Sequence, residues 1–200
     1  MTERTPQTIE PERAQLRRNQ VLDAASACFR RLGFHGCSMA LLAKESAMSV
    51  GHIYHYFENK EAIIDAIVTR DLSDSMDEID QLRYSEHLHE DMIEGLDKPI
   101  DRCLNPENAA LQCEILAEAA RNPNVATIVQ SAHAQVLEQV SELLQHGSNP
   151  ALSPERLGAK VEIIGALFDG LMVQAIRNPQ INRDALLTIY RSTIRHILEQ

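Results

Sequence analysis

Apolar positions recur in steps of three and four along most of the chain, and the polar residues between them fall where helices start and stop. Leu22, Ala25, Phe29 and Leu32 line one apolar face of a first helix beginning near Glu12, and Gly33 supplies the permissive backbone that ends it. Ser38 then caps a short helix through Lys44, Ser46-Ala47-Met48 makes a tight connection, and Ser49 caps a third helix. Asn59 before Lys60-Glu61 opens a longer helix carrying Ile63, Ile64, Ile67, Val68 and Leu72. Asn105-Pro106, Asn122-Pro123 and Ser153-Pro154 each set a capping side chain before a proline at the first helical position. Gly147 closes one late helix and Asn182 opens the last. No segment alternates with the period of two that a half-buried strand requires. The pattern predicts an all-α chain of about nine helices: a mobile arm over 1–11, a small three-helix unit over 12–60, and a larger helical unit over 61–200.

Composition narrows the class. The 200 residues are 44% apolar and 24% charged, with 8 Gly and 8 Pro, which excludes collagen-like, low-complexity and disordered chains. The longest apolar run, Ile163–Phe168, is far short of the roughly 20 residues needed to span a membrane, and the N-terminus has no secretory apolar segment. A soluble, cytoplasmic protein is the expectation. The four cysteines (Cys28, Cys37, Cys103, Cys113) show neither a CxxC pair nor metal-ligand spacing, so reduced core thiols are expected and no metal site.

The net charge of −10 is unevenly placed. Residues 1–60 carry 8 Lys and Arg against 6 Asp and Glu, whereas residues 61–200 carry 11 against 23. A polyanionic partner would therefore meet the N-terminal unit. The acid-rich stretch Asp71–Asp97 reads as solvated helix surface with an intervening loop.

Catalytic patterns are missing. The sequence contains no GxGxxG, GxxxxGK(S/T), HExxH or GxSxG, and His87-Leu88-His89 lacks a third ligand at fixed spacing. An enzyme is not indicated, and neither is a cofactor.

Residues 38–56 instead satisfy the demands of a helix-turn-helix. Two short helices joined by about three residues allow the second to enter the major groove while the first braces it. Leu41, Leu42, Ala43 and Ile53 hold the pair together, leaving Ser49, His52 and His55 outside. Tyr54-His55-Tyr56-Phe57-Glu58-Asn59-Lys60 then alternates hydroxyl, imidazole and ammonium donors suited to phosphates, with Phe57 as core.

Val21-Leu22-Asp23-Ala24-Ala25, Phe29, Gly33-Phe34, Ser38, Leu42-Ala43, Ser49-Val50-Gly51 and Tyr54 to Glu61 together resemble the N-terminal signature of the TetR family of bacterial transcriptional regulators. The resemblance is ordered and ungapped over about forty positions. It implies a homodimer that binds a palindromic double-stranded DNA operator, most often as a repressor, and a small-molecule effector of unknown identity held in the larger unit. By motif position it places phosphate contacts on Ser38, Tyr54, Tyr56 and Lys60, and base reading on Val50, Gly51, His52 and His55. Arg17 and Arg18 are further backbone contacts. Three positions depart from the family pattern. Ala47 stands where glycine is usual, Ser46 replaces a small apolar residue, and Val50 takes the place of a frequent Lys. These departures and the net charge leave open the alternative of a helical small-molecule-binding or interaction protein without DNA affinity.

In the C-terminal part, Leu157, Val161, Ile164, Phe168, Leu171 and Ala175 form a periodic face, with Gly158, Gly165 and Gly170 nearby. Leu186, Ile189 or Tyr190, Thr193, Ile197 and Leu198 provide the matching face of the last helix, and the resemblance puts this pair in a four-helix dimer interface. An intramolecular core helix is the other reading of the same pattern. Similarity to the family also suggests Cys113, Leu116, His133, Phe168 and Met172 as the effector pocket, against plain core packing.

Overall fold

A computed structural model describes residues 6–147 and 153–200, which form helices without strands. Ten helices follow one another: α1 Pro6–Gly36, α2 Met39–Glu45, α3 Val50–Tyr56, α4 Lys60–Leu82, α5 Leu88–Glu94, α6 Asp97–Leu104, α7 Pro106–Ala119, α8 Pro123–Gly147, α9 Pro154–Arg177 and α10 Arg183–Glu199. The acidic stretch Asp71–Asp97 holds the end of α4, a connection over 83–87, the short helix α5 and the first residue of α6. Helix α1 begins at Pro6, so residues 6–11 are helical instead of part of an arm; proline at a first helical position forfeits no internal hydrogen bond. The rest of the expected arm, residues 1–5, lies outside the described residues.

Local chemistry sets most boundaries. Ser38 Oγ accepts the Leu41 N–H at 3.2 Å, Ser49 Oγ accepts that of His52 at 3.1 Å, and Asn59 Oδ1 accepts that of Ala62 at 2.7 Å. Asn105, Ser153 and Asn182 cap α7, α9 and α10 in the same way. Gly33 interrupts α1 with φ 72°, and a Cβ there would sit 3.0 Å from Glu114 Oε1.

Burial divides into two cores. The first joins Val21, Phe29, Leu42, Ile53 and Phe57 to Ile63 and Ile67 of α4, Leu111 and Ile115 of α7, and Val125 of α8. The three N-terminal helices thus share their core with the body, as a unit of that size must if it is to bury enough apolar surface. Within this core Cys28 and Cys37 form a disulfide with Cα atoms 5.9 Å apart, a correction to the expectation of four reduced thiols. Two cysteines nine residues apart share no recognisable spacing, and only the turn at Gly33 brings them together. The second core packs Ile93, Ile100, Leu144, Leu157, Val161, Leu171, Leu187, Ile194 and Leu198. Lys160, nearly buried, closes it by donating to the Leu198 carbonyl at 3.0 Å, near the last turn of α10.

Candidate nucleic-acid interface and inner cavity

Helix α3 buries one side chain, Ile53, against the first core. That anchor turns the remaining residues outward: Ser49, Val50, Gly51, His52, Tyr54 and His55 are exposed, with Tyr54 51% and Val50 37% accessible. A Cβ on Gly51 would meet nothing within 4 Å, so the space beside this turn is open to a close-approaching surface. Tyr56 is half-buried between the imidazoles of His52 and His55, with ring centres 5.2 Å away in each case. The α2–α3 connection is tight. Ala47 adopts φ 52°, and the Met48 N–H donates to the Ala43 carbonyl at 2.9 Å. Gln20 of α1 reaches the Ser46 carbonyl at 2.7 Å and ties α1 to this turn. The buried Ser46 hydroxyl donates to the Leu42 carbonyl at 2.7 Å, which accounts for a polar residue at a position where an apolar one was expected.

The cationic groups are arranged less simply. Arg17 is exposed and bonds Gln20, whereas Arg18 lays its guanidinium 4.8 Å over the Phe57 ring. Lys60, read from its motif position as a phosphate contact, points inward: Nζ donates to the Phe34 carbonyl at 2.6 Å and lies 4.2 Å from the centre of the Phe34 ring. Burial lowers its pKa, partly offset by Glu61 and Glu118. Its position at the start of α4, beside the kink in α1, brings the ammonium to an open carbonyl before it can reach solvent.

Two residues that the sequence reading passed over hold α1 to the body. Glu114 Oε1 accepts the Phe34 N–H at 2.8 Å, and the buried Glu118 carboxylate meets His35 at 3.1 Å. Their spacing of four residues on the inward face of α7, among Leu111 and Ile115, was the available signal.

A cavity of about 480 Å³ lies behind α1, between α1, α4, α6, α7 and α9. Of the five residues suggested for the pocket, Met172 lines it. Leu116 is 46% exposed because α7 turns Leu111, Ile115 and Glu118 inward; His133 pairs with Glu162 on the surface at 3.7 Å; Phe168 packs on Tyr190. Cys113 is half-buried on α7 and outside the cavity lining. The residues that do line it are largely polar, among them Ser26, Asp71, Asp74 and Gln112. Asp23–Arg70 at 2.9 Å and Arg30–Glu107 at 3.1 Å join α1 to α4 and α7 at the cavity. Burial pushes the Cys103 thiol up to about 11, so it stays protonated at neutral pH.

The predicted dimer face also needs correction. Leu157, Val161 and Leu171 are at most 4% exposed, and Ile164, Phe168, Leu186, Tyr190 and Ile197 pack onto the same intramolecular core. The face of α9 left open runs through Ile163 (55% exposed), Ala166, Gly170, Val173 (38%) and Ile176 (50%), with Ile189 (64%) exposed on α10. Apolar residues occupy both sides of α9, and periodicity alone does not tell which side the chain's own core covers.

Residues 21–67 match the model of bacterial regulatory proteins of the tetR family, and residues 100–199 match that of the BetI-type transcriptional repressor C-terminal domain. The chain is 32% identical over 143 residues to the HTH-type transcriptional regulator UidR of Escherichia coli K12, covering 71% of this chain and 72% of that one. It is 25% identical over 178 residues to the HTH-type regulator BetI of Vibrio parahaemolyticus, covering 83% of each. The solved structure of Salmonella enterica GusR superposes with a TM-score of 0.76 at 24% identity, over 92% of this chain and 96% of that one.

Proposed function

The chain belongs to the TetR family of bacterial regulatory proteins, a class of DNA-binding transcriptional regulators and not enzymes, and on that premise we propose that it acts as a homodimeric, effector-released repressor of a palindromic operator. The observation that carries this reading is the anchored α3, whose single buried residue leaves hydrogen-bonding groups at Ser49, His52, Tyr54 and His55 facing outward. Such a helix offers base-edge contacts from its first turns and phosphate contacts from Tyr54 and from Ser38 at the start of α2. Val50 suits a thymine methyl.

Dimerisation is supported by the exposed apolar side chains Ile163, Val173 and Ile176 on α9 and Ile189 on α10, which gain by being covered. Pairing two copies there would hold two α3 helices for half-sites about 34–36 Å apart. The cavity is the effector site in this reading. Its α1 wall is tied to the body by ion pairs that an occupant would disturb, and a tilt of α1 moves α2 and α3 with it through the shared core. The work is cytoplasmic, where the DNA is; no helix among the described residues is long and apolar enough to cross a membrane.

Gel retardation of the chain's own upstream DNA tests the assignment. Tyr54→Phe should weaken binding about tenfold by removing one phosphate-directed hydroxyl, with the change seen across sequences. His55→Ala should relax preference at one base pair. If both variants match the wild type, α3 is not the reading helix. Transcript levels in a deletion strain separate repression from activation.

A further inference from the structure

We propose that Cys28 and Cys37 form a reversible redox site, opened by a low-molecular-weight thiol and closed by its disulfide, and that opening it weakens the hold of α2 and α3 on DNA. This rests on the reading of the chain as a regulator at work in the cytoplasm, and adds to that reading a site within the DNA-binding unit itself.

Where cellular thiols keep cysteines reduced, disulfides are rare, and those that form are mostly transient and redox-sensing. The Cys28–Cys37 bond lies in the core of the unit that meets DNA, and so in such surroundings. Its two ends differ in their setting. Cys28 sits within α1, whereas Cys37 occupies the short connection between α1 and α2, flanked by the exposed Gly36 and Ser38. Both cysteines are buried, so a thiol gains access through local opening of the chain. The middle of the bridged segment is held from both sides: Glu114 accepts the Phe34 N–H at 2.8 Å, and Lys60 donates to the Phe34 carbonyl at 2.6 Å. Opening therefore falls on residues 36–38, and Cys37 Sγ is the atom attacked.

The incoming thiolate bonds Cys37 Sγ, the S–S bond breaks, and Cys28 Sγ leaves with the electron pair and takes up a proton. A second thiolate attacks the small-molecule sulfur of the mixed disulfide, and Cys37 leaves and is protonated in turn. Two thiols are oxidised to one disulfide, and the protein bond is reduced to two thiols. In the open form each sulfur carries a hydrogen and the pair stands at non-bonded contact in a close-packed core, so the connection must shift. The next residue is Ser38, whose Oγ accepts the Leu41 N–H at 3.2 Å at the start of α2 and faces phosphate in the proposed complex. DNA binding then has to order this connection afresh, and affinity falls.

The full-length protein is equilibrated with millimolar reduced glutathione, then with glutathione disulfide. At each stage its free thiols are counted by alkylation under denaturing conditions, and its upstream DNA is tested by gel retardation. Reduced glutathione should raise the number of alkylated cysteines from two to four and weaken DNA binding about three- to tenfold. Glutathione disulfide should reverse both changes, and Cys28→Ala with Cys37→Ala should bind like the open form in either buffer. A bond that yields only to a stronger dithiol, tighter DNA binding in the open form, or a glutathione response that persists in the double variant would overturn the proposal. Equal DNA binding in both buffers removes the redox site alone. No DNA binding in either removes the regulator reading and the redox site with it.

Discussion

Helices α3 and α9 both leave much of their surface open, and the chemistry of the two open faces differs. The face of α3 carries hydroxyls and imidazoles around one buried isoleucine, whereas that of α9 carries Ile163, Ala166, Gly170, Val173 and Ile176. Water satisfies the first face, which can wait for DNA at little cost. The second buries nothing until another apolar surface covers it, at roughly 25 cal/mol per Å². On the proposed reading, the same molecule makes a reversible contact at one end and a standing one at the other, and breaking either should affect different measurements.

The largest effect is expected from α9. Ile163→Asp combined with Val173→Asp places two carboxylates in the stripe, and the chain should elute at single-chain mass in light scattering. Operator affinity should fall more than about a hundredfold, because two half-sites no longer bind as one unit. An unchanged mass would place the pairing surface elsewhere.

Next is the disulfide, which belongs to the α3 end of the molecule. Bridging Cys28 and Cys37, nine positions apart in sequence, restricts the unfolded chain by about 2–3 kcal/mol. Denaturant melts with and without a dithiol reductant should differ by that amount, and Cys28→Ala with Cys37→Ala should match the reduced protein. Identical melts would mean that the bond adds nothing to the stability of the first core.

These two regions also differ in how far they could be read from sequence. Around α3 the determinants are local: Ser38, Ser49 and Asn59 each act on an N–H three residues away, so one strand of text contains both partners. The ordering of those signals also carried the family resemblance. In α9 the apolar pattern was legible but its orientation was not, because which side faces inward depends on where α6, α7 and α8 pack. Glu114, Glu118 and Lys60 were hidden for the same reason: each has a partner on another helix.

Lys60 sharpens the comparison further. Its ammonium serves the fold through the Phe34 carbonyl and ring, so Lys60→Met should cost about 1–2 kcal/mol of stability. The slope of log affinity against log salt should stay the same, whereas loss of a true phosphate contact would reduce it by about one. A reduced slope with unchanged stability would return Lys60 to the DNA surface.

The smallest effect is expected at the turn that presents α3. Ala47 holds φ 52°, a left-handed backbone that costs an L-residue about 1–2 kcal/mol. Its side chain is exposed, so removing the methyl group forfeits little packing. Glycine relieves the backbone cost but adds about 0.5–1 kcal/mol of unfolded-state entropy to be lost on folding. Ala47→Gly should therefore stabilise the protein by on the order of 0.5–1 kcal/mol, a rise in Tm of about 1–3 °C. The Met48 to Ala43 hydrogen bond that sets the turn involves neither the side chain nor the DNA-facing groups, so operator affinity should not change. A gain in stability with weakened DNA binding would show that the strained turn holds α3 at the angle the operator requires.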